Sequence, residues 1–129
     1  MVRHLTVCAV DDDEAVRDSL RALLESYDMS VREYASAMDF LADMDTHQAE
    51  PDCMLLDLHM PGLSGIELLE ILRRRRNPIP VIILTGRGDD GLRVRARSLG
   101  ATALLDKPVA EEVLISTIKT AASSPRTSP

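Results

Sequence analysis

Short runs of consecutive apolar residues alternate along the chain with longer stretches in which apolar residues recur every three or four positions. A short apolar run bounded by polar or turn residues predicts a buried strand, whereas the wider spacing predicts an amphipathic helix. The sequence therefore predicts strands at 5–10, 30–34, 53–56, 80–84 and 101–105. It predicts helices at 13–27, 35–44 and 64–76, a fourth from 89 or 90 to 99, and a fifth from 109 or 110 to 122.

Local signals support several of these helix ends. Asp13 stands where a carboxylate can cap the first helix, and Ser64 with Glu67 three residues later fits a capping box. The third helix is expected to end before Asn77-Pro78, and Gly100 is expected to end the fourth.

Five strands alternating with five helices predict a parallel sheet covered on both faces, since parallel neighbours need right-handed crossover helices. The helical spacing places Tyr27, Met38 and Val113 on the inward faces of the first, second and fifth helices. The predicted fold class is thus a doubly wound α/β domain. In such sheets the functional crevice lies beyond the carboxyl ends of the strands.

The composition excludes disordered and membrane-spanning classes of protein. The 129 residues suit one domain, and the apolar fraction of 45% is too high for a disordered chain. The apolar runs are far shorter than a membrane span, so no membrane association is expected. Cys8 and Cys53 lie in apolar runs without metal-ligand spacing, which predicts buried free thiols. With no signal-peptide pattern at the N-terminus, we expect a cytoplasmic protein.

The charge is unevenly distributed. The net charge is −6, and residues 1–60 hold 14 of the 21 acidic residues but only 4 of the 15 basic ones. An acidic excess disfavours direct nucleic-acid binding, which needs a basic surface. The four arginines at 73–76 favour a solvated helix end over a nucleic-acid patch, because cations suit the carboxyl end of a helix.

Acidic side chains gather at the predicted carboxyl edge of the sheet. Asp11, Asp12 and Asp13 follow the first strand, and Asp57 ends the third. Helix capping explains one of them, Asp13, but not the others. Carboxylates brought close together repel unless a cation lies among them, and hard oxygen ligands favour magnesium. This cluster indicates a divalent-cation site.

Thr85 ends the fourth strand and Lys107 follows the fifth, at the same edge. An ammonium and a hydroxyl can both bind phosphoryl oxygens, and a carboxylate can act as the nucleophile that forms an aspartyl phosphate. The edge is therefore suited to phosphoryl transfer.

Four separated motifs carry a family resemblance: VDDDE, LLDLHMPGLSG, LTGRGD and DKP. Over about residues 4–122 the chain resembles the receiver domains of bacterial two-component response regulators, in the CheY-like superfamily, and most of all those of the FixJ type. The resemblance implies a flavodoxin-like sheet with strand order 2-1-3-4-5. It also implies a receiver at 1–122, with 123–129 as a flexible tail or the start of a linker.

The resemblance implies a role for each acid. Asp57 would accept the phosphoryl group from a sensor histidine kinase or phosphotransfer protein. Asp12 would bind Mg²⁺, or Mn²⁺, directly, and Asp11 mostly through water. Asp57 and the backbone carbonyl of His59 would be further ligands.

The resemblance also implies that Thr85 and Lys107 bind the phosphoryl oxygens and that the Lys107–Pro108 bond is cis. Such a domain is not a classical enzyme, but it catalyses its own phosphorylation and slowly hydrolyses its acyl phosphate. His59 and Arg87, each two residues beyond a site residue, are candidate modulators of that hydrolysis.

One position departs from the family pattern. Leu104 stands where a Tyr or Phe usually acts as the rotamer switch. Either leucine fills the same pocket with a weaker movement, or output runs mainly through the fourth helix. The family often uses the fourth helix, fifth strand and fifth helix for dimerisation or docking. Two interpretations of this face stay open: an interface with a partner or a second copy as a homodimer, or a merely solvated face.

Two alternatives stay open. A pseudo-receiver would bind partners without chemistry. A flavodoxin-like cofactor binder has the same topology, but Asp11, Asp12 and Asp13 would repel the cofactor phosphate.

Overall fold

The structure is a computed structural model that describes residues 4–46, 50–86 and 90–123. The described strands are β1 Thr6–Val10, β2 Ser30–Tyr34, β3 Cys53–Asp57, β4 Val81–Thr85 and β5 Ala103–Asp106. The described helices are α1 Glu14–Ser26, α2 Ala37–Met44, α3 Gly65–Arg74, α4 Asp90–Ser98 and α5 Glu111–Ser123. Two parts of the sequence predictions lie outside the described residues: positions 124–129 of the predicted tail, and the candidate modulator Arg87.

The strands form one parallel sheet in the order β2-β1-β3-β4-β5. This confirms the predicted fold class and strand order. Helices cover both faces, so the sheet separates two apolar cores. One contains Phe40 and Leu69 of α2 and α3, and the other contains Leu24 and Ile118 of α1 and α5.

The cysteines lie in these two different cores. Cys8 on β1 and Cys53 on β3 are both fully buried free thiols, as the sequence predicted. Burial, with the neighbouring Cys53, raises the pKa of Cys8 far above its usual range. Thiols of this kind stay protonated and unreactive.

The predicted helix starts are confirmed by their caps. Asp13 accepts hydrogen bonds from the amides of Ala15 and Val16, at 2.9 and 3.3 Å. Ser64 and Glu67 form the reciprocal capping box at the start of α3. These caps fix where α1 and α3 begin, and both helices begin beside the carboxyl edge of the sheet.

Three side chains predicted to face inward are instead exposed: Tyr27 by 39%, Met38 by 61% and Val113 by 48%. A helix turns by roughly 100° per residue, so a neighbour of a buried residue can already lie off the apolar stripe. Val113 precedes the buried Leu114, but the buried stripe of α5 continues in the other direction around the helix. Tyr27 is the residue that caps the carboxyl end of α1.

The arginines at 73–76 are not a uniformly solvated helix end. Arg73 is half-buried and donates to the carbonyls of Leu99, Gly100 and Asn77 at 2.8, 3.0 and 2.9 Å, and to that of Ile79 at 3.3 Å. Burial lowers the pKa of Arg73. The carboxyl end of α4 is therefore fastened to α3 through one guanidinium.

Among the described helices, none combines the length and the hydropathy that a bilayer-crossing segment needs.

Candidate functional site

The carboxyl edge of the sheet collects the polar residues that end or follow the central strands. Asp11 follows β1, whereas Asp57 and Thr85 are the last residues of β3 and β4. Carboxylate oxygens of Asp11, Asp12 and Asp57 all lie within 4.8 Å of one another. The predicted metal carboxylates are thus brought together at one point.

Lys107 places its ammonium beside two of these carboxylates. Its Nζ lies 3.4 Å from Oδ2 of Asp11 and 3.6 Å from Oδ1 of Asp57. Its backbone amide donates to the carbonyl of Thr85 at 2.8 Å, and the Lys107–Pro108 peptide bond is cis. The lysine is therefore positioned by its backbone as well as by its charge.

Asp57 is a buried carboxylate, with only 8% of its surface exposed. Burial raises its pKa, and the nearby charges of Asp11 and Asp12 raise it further. The Lys107 ammonium and a hydrogen bond from the His59 amide, at 3.4 Å, lower the pKa in part. A cation bound among the three carboxylates would remove this repulsion.

The donor set fits Mg²⁺ or Mn²⁺. Three hard carboxylate oxygens suit a small divalent cation, which usually keeps several waters and binds phosphate oxygens as well. Asp12 is exposed, whereas Asp11 and Asp57 are buried, so the cluster opens to solvent on one side. The arrangement can hold a cation and a phosphoryl group together.

The remaining predicted site residues occupy three different environments. The side chain of Thr85 is buried, and its Oγ1 donates to the carbonyl of Gly86 at 3.3 Å. His59 is exposed, which is consistent with a position at the site entrance. Leu104 is partly buried and packs against the core that contains α3 and α4.

Arg17 is a contact of this site that the sequence analysis did not identify. Its Nη1 donates to the backbone carbonyl of Asp11 at 2.6 Å. The amide of Asp11 in turn donates to the carbonyl of Tyr34 at 3.1 Å, and its Oδ1 accepts from the amide of Asp13 at 2.9 Å. Asp11 is therefore held through its amide, its carbonyl and its side chain.

Gly65 is a second residue that the sequence analysis missed. A Cβ at this position would lie 2.3 Å from the carbonyl oxygen of Asp57 and 2.8 Å from Cα of Leu58. Its amide donates to the carbonyl of Leu58 at 3.2 Å. The start of α3 therefore approaches the end of β3 so closely that only glycine fits there.

Gly65→Ala is expected to lower the free energy of unfolding by about 2 kcal/mol, because the new methyl group overlaps backbone that cannot yield without shifting Asp57. Urea unfolding followed by far-UV circular dichroism measures this. Gly86→Ala is the matched control, since a Cβ there meets nothing within 4 Å. Equal unfolding midpoints for the two variants would contradict the close approach.

Comparison with known proteins identifies relatives over nearly the whole chain. Residues 7–119 match the family described as response regulator receiver domain. The transcriptional regulatory protein FixJ of Azorhizobium caulinodans is 41% identical over 119 residues, which cover 92% of this chain and 56% of that protein. FixJ of Bradyrhizobium diazoefficiens is 40% identical over 119 residues, covering 89% of this chain and 55% of that protein.

Solved structures agree with the sequence relatives. The crystal structure of FixJ-N superposes with a TM-score of 0.87 at 35% identity, covering 98% of this chain and 99% of that one. This chain spans about half the length of the curated FixJ proteins it matches.

Proposed function

Because this chain belongs to the response regulator receiver domain family, we propose that it is a signalling switch in which Asp57 accepts a phosphoryl group from a sensor histidine kinase or phosphotransfer protein. The observation that carries the proposal is the convergence of Asp11, Asp12 and Lys107 on the buried carboxylate of Asp57. Residues 1–122 constitute the proposed receiver, and 123–129 the proposed tail or linker. The receiver itself contacts protein partners and no nucleic acid.

In the transfer step, an ionised oxygen of Asp57 attacks the phosphorus of the donor phosphohistidine. The bond between phosphorus and the imidazole nitrogen breaks, the imidazole leaves, and an aspartyl phosphate forms. Lys107 neutralises charge on the phosphoryl oxygens, and the Thr85 hydroxyl donates to one of them. Thr85 ends the strand that pairs with β3, and Lys107 follows the strand beyond it, which supports these roles.

The metal site is proposed from the same residues. Asp11, Asp12 and Asp57, with the backbone carbonyl of His59, would hold Mg²⁺ or Mn²⁺. When bound, the ion supplies positive charge to the phosphoryl oxygens. Besides burial, the repulsion from Asp11 and Asp12 raises the pKa of Asp57, which supports the need for such a cation.

Hydrolysis of the acyl phosphate resets the switch: water attacks phosphorus, and the Asp57 carboxylate is regenerated with inorganic phosphate. His59 and Arg87 are proposed to modulate the access of that water. The exposure of the His59 side chain beside the acceptor supports its role. The lifetime of the phosphorylated chain in His59→Ala, compared with the unsubstituted chain, tests it.

The output surface is proposed to comprise α4, β5 and α5, which select a partner or a second copy. Val94 on α4 and Val113 on α5 are both exposed, and an apolar side chain on each helix supports a contact surface. With Leu104 in place of an aromatic switch, the signal would run through movement of α4. That helix has only Ala96 buried and is tied to the end of β5 by the Arg93–Asp106 ion pair.

Beryllofluoride, a phosphoryl mimic, is expected to shift the backbone amide resonances of α4 more than those of α2, because α4 has only Ala96 buried and is the next element after the strand that ends in Thr85. Two-dimensional NMR of the chain with Mg²⁺, before and after beryllofluoride, measures the shifts. Unmoved α4 resonances would contradict output through this helix.

Acetyl phosphate tests the proposed function as a whole. The chain incubated with acetyl phosphate and Mg²⁺ should gain the mass of one phosphoryl group, and excess EDTA should prevent the gain. If the chain gained no phosphoryl mass even with Mg²⁺ present, the result would contradict the proposal and favour a pseudo-receiver.

A further inference from the structure

We propose that Arg17 is a positioning residue for the metal carboxylates, and that Glu33 holds it in place. Arg17 fixes the peptide group that joins Asp11 to Asp12, so that both carboxylates point toward Asp57. This inference rests on the proposed metal site and adds a residue outside the carboxylate cluster to it.

The Arg17 guanidinium makes two contacts at once. Nη1 donates to the carbonyl oxygen of Asp11 at 2.6 Å, and Nε lies 3.5 Å from Oε1 of Glu33. The Arg17 side chain is only 13% exposed, and that of Glu33 23%. Side chains of a helix lean toward its N-terminus, which lets Arg17 on α1 reach back to the end of β1.

The restrained peptide group determines where Asp12 points. Within the described residues, no hydrogen bond or ion pair holds the exposed carboxylate of Asp12, so only the backbone restrains the Cα from which this side chain projects. The carbonyl of Asp11 belongs to the same peptide plane as the amide of Asp12. A guanidinium that holds this carbonyl therefore also orients the exposed ligand.

Arginine suits this role better than lysine. Its planar guanidinium offers several N–H donors in fixed directions, so that Nη1 can serve the carbonyl while Nε faces Glu33. An ammonium on a flexible stem carries the same charge but not the same fixed geometry. Arg17→Lys therefore separates the effect of geometry from that of charge.

A purely electrostatic role for Arg17 and a positioning role predict opposite changes in the Mg²⁺ affinity of a neutral variant. A cation near a magnesium site repels the ion, so removing it should tighten Mg²⁺ binding if Arg17 acted only electrostatically. Loss of positioning should instead weaken binding, because the two carboxylates must then be ordered by the ion itself. The direction of the change in Mg²⁺ affinity therefore distinguishes an electrostatic role of Arg17 from a positioning role.

Arg21 provides a matched control on the same helix. It forms an ion pair with Glu33 and donates to the carbonyl of Val31 at 3.0 Å, and its hydrogen bonds within the described ranges do not include Asp11. Arg21→Met therefore removes a comparable arginine and part of the same network without touching the metal carboxylates.

Isothermal titration of the full chain with Mg²⁺ tests the inference, with thermal unfolding in EDTA to confirm that each variant is folded. Arg17→Met and Arg17→Lys should each weaken Mg²⁺ binding by about tenfold, as is typical when a group that orients a metal ligand is lost. Arg21→Met should bind Mg²⁺ as the unsubstituted chain does.

Unchanged or tighter binding in a folded Arg17→Met or Arg17→Lys would overturn the inference while leaving the proposed function intact. Equal weakening in Arg21→Met would also overturn it, because the effect would then belong to the network in general. If the unsubstituted chain bound no Mg²⁺, the proposed metal site itself would be wrong.

Discussion

Asp57→Asn is expected to abolish the phosphoryl adduct that acetyl phosphate and Mg²⁺ produce on the unsubstituted chain. An amide oxygen is a poor nucleophile, and a neutral amide at this position would also offer the cation no negative charge. Thr85 is not expected to substitute for the acceptor, because its hydroxyl is buried and donates to the carbonyl of Gly86. Intact mass spectrometry measures the adduct directly.

This loss should occur without loss of the fold. Burial raises the pKa of Asp57, so its ionised form destabilises the folded state at pH values above the ordinary range for aspartate. Removing the charge should therefore leave the melting temperature equal or higher. Asp28→Asn is the matched control: Asp28 adopts a φ of +62°, which asparagine tolerates, and lies in the turn before β2, at the opposite edge. An adduct on folded Asp57→Asn would contradict the assignment of the acceptor.

Lys107→Met is expected to slow phosphorylation by about a hundredfold, the usual loss when one group that stabilises the transition-state charge is removed. Burial raises the pKa of Asp57 and the Lys107 ammonium is the main influence that lowers it, so the variant also raises the pKa of the acceptor carboxyl. The initial rate of adduct formation with acetyl phosphate measures the effect.

Lys119→Met is the control for this variant, because Lys119 is the only other lysine of the chain and lies exposed on α5. It should phosphorylate at the rate of the unsubstituted chain. Equal rates for the two lysine variants would show that Lys107 has no part in the transfer.

Most of the fold could be predicted because the periodicity of the sequence is consistent with the local capping signals. Continuous apolar runs give the sheet, and Asp13 and Ser64 begin α1 and α3 where expected. The mistakes concern single side chains. Val113 and Met38 are apolar but lie on exposed helix faces, which periodicity cannot distinguish when the neighbouring positions are apolar too.

The site residues at strand ends could be predicted because parallel strands bring their carboxyl ends to one edge. The residues that support the site could not. Arg73, Arg17 and Gly65 act through backbone atoms of other elements, namely the carbonyls of Leu99, Asp11 and Asp57. Every residue has a backbone carbonyl, so the order of residue types does not indicate which carbonyl a side chain will contact. These supporting contacts are therefore found only in the folded structure.

Reductive trapping of the phosphorylated residue tests the central claim most directly. The chain is phosphorylated with acetyl phosphate and Mg²⁺, treated with borohydride and digested, and the peptides are sequenced by mass spectrometry. Borohydride reduces an aspartyl phosphate to homoserine, so position 57 should be read as homoserine and every other aspartate should remain unchanged. Homoserine at another position, or none at all in a chain that carries the phosphoryl mass, would contradict the account.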